Sequence, residues 1–269
     1  MTNPYLPPSA PVGENLGADS RGYLPDGNLE LALRGEIKLA TMEAVREGWS
    51  RVHGCKGTIG LGLTVISLFY MVFVFLMIAG SLYFSGLGWD ELSDPMVFTE
   101  QMAGLGTSPI YLIGNSVLGA PVFAWLWAAI WNMGLRRSAG HPLRLADAFP
   151  MHVLVPQSLV LLILAPLGWV AIIHPFAAYL SMPFYFAAQW TVPAFLDRGC
   201  SLADAFKVSV ALTRHNLLAL TGLGFILFAG YVVSLACCGI GLIWFGPFAC
   251  CVLGATWRQL CGLQQTAQP

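Results

Sequence analysis

The sequence predicts an all-α, polytopic membrane protein with six transmembrane helices in three hairpins and with cytoplasmic amphipathic helices. Composition is the first observation behind this fold class, because the 269 residues are 57% hydrophobic and only 10% charged. Soluble domains carry about 25% charged residues, so this chain cannot cover a globular surface with charge. The second observation is that residues 148–196 and 215–257 contain no Asp, Glu, Lys or Arg. The third is that every basic residue can lie on one side of the membrane.

The N-terminal part is predicted to lie outside the membrane. Residues 1–27 are rich in Pro and Gly and lack a signal-peptide core, which predicts a disordered cytoplasmic tail. Residues 28–56 carry an apolar stripe at helical spacing, so we expect an amphipathic interfacial helix with Trp49 at headgroup depth. A helix that binds a partner in the cytosol is the alternative interpretation. Residues 57–262 then form the six-helix transmembrane domain, and 263–269 a short cytoplasmic tail.

The spans follow from the apolar segments, since a helix needs about 20 apolar residues to cross the hydrocarbon core. Thr58–Phe84 and Pro109–Met133 each supply one span. Residues 148–196 are too long for one crossing, so they predict a hairpin that turns near residues 165–175. Residues 215–257 predict a second hairpin that turns near 237–241.

The basic residues determine the predicted orientation. Six precede the first span, three lie between the second and third, three between the fourth and fifth, and one follows the sixth. The loop 85–108 instead carries four acidic residues and no Lys or Arg. We therefore expect a multi-pass protein of the bacterial inner (plasma) membrane, with both termini in the cytoplasm.

A repeated pentapeptide indicates internal repetition. The sequence LADAF occurs at Leu145–Phe149 and at Leu202–Phe206, in each case after a basic residue and a glycine. Ser201 and Asp204 form a capping-box pattern, which predicts the start of a short amphipathic helix in the headgroup layer. A looser third copy lies at residues 43–62. We interpret the chain as three units, each an amphipathic segment followed by a pair of spans.

No catalytic set is evident in the sequence. No predicted span has Asp, Glu, Lys or Arg at its centre, and no His, Cys or acidic cluster has metal-ligand spacing. We expect His152 and His174 to be hydrogen-bonded or interfacial, and we predict no catalytic residue, metal or cofactor. The seven cysteines contain no CxxC motif, and those in apolar runs are expected to act as small apolar residues.

Two groups of polar residues are candidate binding residues. The first comprises the amides in or near spans, which either hydrogen-bond between helices or line a solute path: Asn115, Asn132, Gln157, Gln189 and Asn216. The second comprises basic residues that either contact anionic lipid headgroups or only determine topology: Arg136, Arg137, Arg198, Lys207, Arg214 and Arg258.

The last third of the chain resembles known families. In 183-PFYFAAQWTVPAFLDRGCSLADAFKVSVALTRHNLLAL-220, a Pro near a span end precedes a charged residue with Gly, a Ser-x-x-x-Ala helix start and Arg-x-Asn. Together with 247-PFACCVLGATWRQL-260, this pattern resembles uncharacterised bacterial multi-pass protein families. It is also similar to the membrane domain found beside some glycerophosphodiester phosphodiesterases. The resemblance implies a six-span inner-membrane protein of unknown role, and no activity carries over from it, because no phosphodiesterase catalytic domain is present in this chain.

These observations favour a non-enzymatic membrane protein that binds lipid or acts as a scaffold in the envelope. A transporter or channel for a small uncharged or lipidic solute is the alternative. The expected partners are membrane lipids, with other membrane proteins or a second copy of the chain as alternatives, and the formal net charge of −1 argues against nucleic acid. A polar cavity that reaches the bilayer midplane would favour transport, whereas a dry bundle packed through glycines would favour scaffolding.

Overall fold

The computed structural model describes residues 27–84, 94, 96, 97, 99, 100, 104, 109–173, 184, 185, 188–236 and 241–263. This part of the chain is helical and contains no β-strand. The predicted all-α class is therefore confirmed. The helices are α1 Leu29–Arg34, α2 Thr41–Arg51, α3 Lys56–Phe84, α4 Pro109–Ser138, α5 Leu154–Ile173, α6 Thr191–Arg198, α7 Leu202–Ala236 and α8 Leu242–Cys261. Two short 3₁₀-helices, Leu145–Ala148 and Met151–Val153, precede α5.

Among the described residues, four segments are long and apolar enough to cross a membrane: Lys56–Gly80, Tyr111–Ser138, Leu145–Trp169 and Leu202–Ala236. They match the first, second, third and fifth predicted spans. The sixth predicted span corresponds to α8, whose last turn carries Arg258 and Gln259 and is therefore less apolar. Much of the fourth predicted span, with His174, lies outside the described residues. The turn predicted near residues 165–175 does not lie within residues 165–173, because α5 remains helical to Ile173, and the rest of the predicted turn lies outside the described residues.

The prediction of one helix over residues 28–56 is wrong, because α1 and α2 are separate helices. Asn28 caps α1 by accepting hydrogen bonds from the backbone N–H groups of Glu30 and Leu31. Gly35 ends α1 with φ of 77°, a left-handed conformation that glycine adopts at low cost. A Cβ at Gly35 would also lie 2.6 Å from the His215 ring. The chain therefore turns against α7 and runs without helix to Ala40.

We call residues 36–40 the strap, because they hold a kink in α7. At Asn216 the backbone leaves helical geometry, with φ of −124° and ψ of 20°. The Leu39 N–H donates to Asn216 Oδ1 at 2.9 Å, and Lys38 Nζ donates to the His215 carbonyl at 2.9 Å. Thr41, the first residue of α2, donates its hydroxyl to the Ala219 carbonyl at 3.1 Å. The strap thus satisfies backbone and side-chain groups at the kink, which would otherwise be costly in a low-dielectric site.

The capping-box pattern at Ser201 and Asp204 lies at the start of α7, before the kink. Ser201 Oγ accepts from the Asp204 N–H at 3.3 Å and donates its own hydrogen to Asp204 Oδ2 at 2.7 Å, so the Ser201 half of the predicted capping box is present. The helix it starts runs from Leu202 to the kink at Asn216, and a second helical stretch then continues to Ala236 as the predicted fifth span.

Helix α8 is the centre of the packing. Its residues 250–261 are all buried, and it contacts α1, α2, α3, α4 and α7. Where α8 crosses α4, Gly254 and Gly134 bring the two backbones together, since a Cβ at either glycine would overlap main-chain atoms of the other helix. Such close glycine contacts are typical of helix pairs in membrane proteins.

Candidate ligand-binding cavity

A cavity of about 490 Å³ lies between α4, α5 and the segment that precedes α6. On α4 the lining residues recur on one face from Asn115 to Trp127, and on α5 they recur from Gln157 to Ala165. The third wall contains Tyr185, Ala188 and Gln189. The remaining described lining residues are small, aliphatic or aromatic, apart from Ser116: Ala120, Phe123, Leu126, Leu161 and Leu164.

The hydrogen bonds across the cavity show how its walls are arranged. Trp169, near the end of α5, donates Nε1–H to Ser116 Oγ near the start of α4 at 2.8 Å, so the two helices are antiparallel. Tyr185 donates to the Leu164 carbonyl at 3.1 Å, and Thr191 lies 3.0 Å from Gln157 Oε1. The third wall therefore also runs antiparallel to α5. Gly168 makes room for it, because a Cβ there would lie 2.7 Å from the Tyr185 hydroxyl.

Several polar groups that line the cavity lack a hydrogen-bond partner among the described residues. Within the described ranges, the side-chain amides of Asn115 and Gln189 make no hydrogen bond. Gln157 is 1% exposed, and only its Oε1 has a protein partner there, namely Thr191. Ser116 Oγ accepts from Trp169, which leaves the Ser116 hydroxyl hydrogen able to donate. Unpaired polar groups in an apolar site are costly, so these groups are suited to hydrogen bonds with a ligand.

The cavity lies along the apolar part of α4, one of the segments that are long and apolar enough to cross a membrane. At 1.5 Å per residue, its α4 wall extends over about 18 Å of axis, from about 13 to about 31 Å before Arg136. This range covers more than half of the hydrocarbon thickness of about 30 Å. The described lining contains no charged residue, as expected for a site at that depth.

A row of tryptophans lies between the cavity and the charge-bearing end of the molecule, by which we mean the region around Glu47, Arg51, Asp197, Arg198 and Arg258. Trp127 lines the cavity and its ring centroid lies 6.5 Å from that of Trp131. Trp131 lies 5.1 Å from Trp190, and Trp190 stacks on Trp257 at 6.3 Å. The indole of Trp257 then donates to Asp197 Oδ2 at 2.9 Å. The described part of the cavity therefore abuts a packed aromatic layer.

The structure brings together three of the five predicted intramembrane amides. Asn115, Gln157 and Gln189 share the cavity. Asn132 instead donates Nδ2–H to the Asp147 carbonyl at 2.7 Å, at the turn after α4. The Asn216 side chain accepts a hydrogen bond from the Leu39 N–H of the strap and donates one to the Leu212 carbonyl at 3.3 Å, so it stabilises the kink.

Most of the predicted headgroup-binding residues have partners within the protein. Arg137 donates to the carbonyls of Arg51 and His53, and Arg198 donates to those of Cys261 and Gly262. Arg258 donates to Glu47 at 2.6 Å and is 8% exposed. The others lie nearer the surface: Arg136 Nη1 is 3.1 Å from Asp147 Oδ1, Lys207 Nζ is 3.2 Å from Asp204 Oδ1, and Arg214 is exposed.

The buried ion pair at Glu47 is a feature that sequence reasoning missed. Glu47 Oε1 lies 2.7 Å from Arg51 Nε and 2.6 Å from Arg258 Nη2, so it joins α2 to α8. Glu47 and Arg51 lie four residues apart, a spacing that favours an ion pair within one helix, yet the Glu47 side chain is fully buried. Arg51 and Arg137 also donate to carbonyls at each other's helix ends, which lack partners within the helix.

Searches against protein-family models, curated proteins and solved structures find no match to this chain. The resemblance of residues 183–220 and 247–260 to bacterial multi-pass families therefore stays a prediction.

Proposed function

We propose that this protein binds an uncharged, lipid-like molecule in the cavity between α4 and α5. The observation that carries the proposal is a cavity of about 490 Å³ with apolar walls, no charged lining residue among those described, and side-chain amides without protein partners. Volumes of about 300–1,000 Å³ are usual for small-molecule sites, and a few placed polar groups in an apolar lining fix the orientation of the ligand.

The chemistry of the lining selects the class of ligand. An anionic or cationic group would have no counter-charge among the described lining residues, so its desolvation would be costly. Amides and a free hydroxyl can instead donate to and accept from ester, carbonyl or hydroxyl oxygens. A neutral amphiphile with such a head and an apolar body fits these features. We assign the lining residues a role in ligand binding and not in catalysis.

We also propose that the chain is a six-span protein of a bacterial inner membrane with both termini in the cytoplasm. The distribution of basic residues supports this orientation, and the antiparallel run of the third cavity wall along α5 supports a fourth span. In this arrangement Arg136, Lys207 and Arg214 are the basic residues best placed for anionic headgroups, because their side chains reach the surface.

The orientation can be tested with thiol reagents that do not cross membranes. Native Cys55 and Cys261 are poor probes for these bulky, charged reagents because they are 3% and 2% exposed. Single cysteines should instead replace Met42, which is 65% exposed, and Asp94 in the acidic loop, with labelling read peptide by peptide. Labelling at position 94 but not 42 in intact spheroplasts is expected. The reverse pattern would contradict the proposed orientation.

The ligand proposal can be tested by filling the cavity. Ala120 lies on the α4 wall and is 5% exposed, so Ala120→Phe should exclude the ligand. Leu118→Phe adds a phenyl ring at a neighbouring position that is 58% exposed, and it serves as the matched control. Each protein is purified in mild detergent and analysed by native mass spectrometry and lipid extraction.

We expect a stoichiometric neutral lipid on the wild type and on Leu118→Phe, but not on Ala120→Phe. Equal retention by both variants would place the lipid elsewhere, and a wild-type protein without retained mass would contradict the proposal. Correct folding of both variants is checked by size-exclusion chromatography.

Transport of the same ligand is a second candidate function. It is favoured by the length of the α4 wall, about 18 Å, and by polar groups at both ends of the cavity, Ser116 and Gln157. Proteoliposomes would show whether the identified lipid moves between leaflets. Movement that Ala120→Phe abolishes would support transport, whereas tight binding without movement would restrict the function to binding.

A further inference from the structure

We propose that Cys55 and Cys251 are a redox modification site, in which a hydroperoxide converts the two thiols into a reversible disulfide. This inference is independent of the ligand cavity, because neither residue lines it. The disulfide would join the turn before α3 covalently to α8, the helix on which the charge-bearing end of the molecule packs.

The two sulfur atoms are already in contact. Cys55 Sγ lies 4.0 Å from Cys251 Sγ, although the residues are 196 positions apart. A disulfide requires an S–S separation of about 2.0 Å, so the atoms must approach by about 2 Å. Cys55 lies in the turn between α2 and α3, beside the exposed His53 and Gly54, where the backbone is not constrained by a continuous helix. The neighbouring Gly54 has φ of 84° and open space around it.

The surroundings of Cys55 favour its reaction as the first thiol. A hydrogen bond with Cys251 and the nearby Arg137 guanidinium lower the pKa of Cys55 to about 7, against the opposing effect of burial. A thiolate, and not a thiol, attacks a peroxide. Cys55 is also next to exposed residues of its turn, whereas Cys251 is fully buried in α8.

The reaction balances in two steps. The Cys55 thiolate attacks the outer oxygen of the hydroperoxide, an S–O bond forms, the O–O bond breaks, and the leaving alkoxide or hydroxide takes up a proton. Cys251 sulfur then attacks the sulfenic sulfur of Cys55, the S–S bond forms, and hydroxide leaves with the proton of Cys251 as water. Two thiols lose two electrons and one hydroperoxide gains them. A cytosolic thiol reductant restores both cysteines by exchange.

The test treats the full-length protein in membrane vesicles with hydrogen peroxide and then blocks free thiols with N-ethylmaleimide under denaturing conditions. Peptide mapping without reduction should identify a Cys55–Cys251 linkage that dithiothreitol removes. Cys55→Ser and Cys251→Ser should each abolish it. Cys250→Ser changes the adjacent cysteine, which is equally buried, and should leave the linkage unchanged.

A second readout keeps the proposal testable if a serine variant is poorly folded. In Cys251→Ser the sulfenic acid on Cys55 has no partner thiol, so dimedone should label Cys55 after peroxide treatment. A wild-type protein that keeps all its free thiols would overturn the proposal. So would a linkage that Cys250→Ser abolishes and Cys251→Ser does not.

Discussion

The apolar stretches of the long helices and the charge-bearing end of the molecule differ in how much of their surface is buried within the protein. In the apolar 18-residue stretches of α3 and α7, 11% and 17% of the residues are buried within the protein, and large apolar side chains such as Phe75 and Phe225 are about 70% exposed. At the charge-bearing end, the last twelve residues of α8 are all buried, with Glu47 and Arg258 among the enclosed groups. Lipid can cover the apolar faces in the first region, so burial against protein is not required there.

The difference indicates where the tertiary structure is specified. A helix in hydrocarbon satisfies its own backbone and gains little from contact with another apolar helix. The charge-bearing end has glycine contacts, a buried ion pair and orphan carbonyls that only particular partners satisfy. We therefore expect substitutions at that end to unfold the protein, while similar substitutions in the membrane region change ligand content or nothing.

The largest effect is expected at the crossing of α4 and α8. Gly134→Ala places a methyl group where the Cys250 carbonyl lies, and a backbone atom cannot move aside cheaply. We expect a loss of more than about 3 kcal/mol, measured as the yield of folded protein and as detergent denaturation. Gly60→Ala, on α3 with no atom within 4 Å of the new Cβ, is the control and should be neutral or slightly stabilising. Equal tolerance of both substitutions would refute close backbone packing there.

A loss of about 3–5 kcal/mol is expected from Glu47→Ala, because it leaves Arg258 buried without its carboxylate. Glu43→Ala alters an exposed carboxylate one turn earlier in α2 and should change stability by less than about 0.5 kcal/mol. The free energy of unfolding is measured in the same detergent for both variants. Similar values for the two would show that Glu47 is not enclosed as described.

Two leucines on α7, one buried and one exposed, allow the stability cost of a substitution to be compared within one helix. Leu212 is fully buried near the strap, so Leu212→Ala should cost about 2–5 kcal/mol. Leu218, six residues later, is 88% exposed, and Leu218→Ala should cost less than about 0.5 kcal/mol in detergent. A larger loss at Leu218 would reveal a protein partner on that face.

The smallest effect concerns the pH dependence of thiol reactivity and leaves stability unchanged. With its pKa lowered to about 7 by the Cys251 hydrogen bond and by Arg137, Cys55 should alkylate at a rate that levels off above about pH 8. Below that pKa the thiolate fraction falls, so the rate should decrease about tenfold per pH unit. The groups facing Cys55 are Cys250 and Cys251 on α8 and Arg137 on α4.

Cys200 is the control for this measurement, because burial raises its pKa. Its alkylation rate should still be rising at about pH 9, followed peptide by peptide in the same samples. Parallel profiles for Cys55 and Cys200 would show that the Cys251 contact does not stabilise the Cys55 thiolate.

Features that depend on local composition could be predicted from the sequence, and those that depend on distant partners could not. The apolar runs that become α3 and α4 were recognised because composition alone defines them. The three amides of the cavity were named because polar residues in apolar runs are rare. The burial of Glu47 could not be predicted, since nothing near it in sequence shows that Arg258 lies against it.

The two LADAF copies show that identical short sequences can adopt different structures. The first copy forms a 3₁₀-helix at Leu145–Ala148, while the second starts the long helix α7. Pro150 follows the first copy and disfavours helical geometry at Phe149, whose φ and ψ are −125° and 59°. Lys207 follows the second and permits the helix to continue. Identical pentapeptides therefore gave no safe prediction of identical structure.

The strap has a consequence for the order of folding. Its hydrogen bonds to His215 and Asn216 link residues 177 positions apart, so they are among the contacts of longest sequence separation in the chain. Residues 36–40 are synthesised early, but their partners leave the ribosome only after α3, α4 and α5. The strap must therefore stay undocked while these helices enter the membrane, and its docking comes late in folding because distant contacts form slowly. A nascent chain that stops before residue 215 would leave this segment undocked and therefore open to proteolysis.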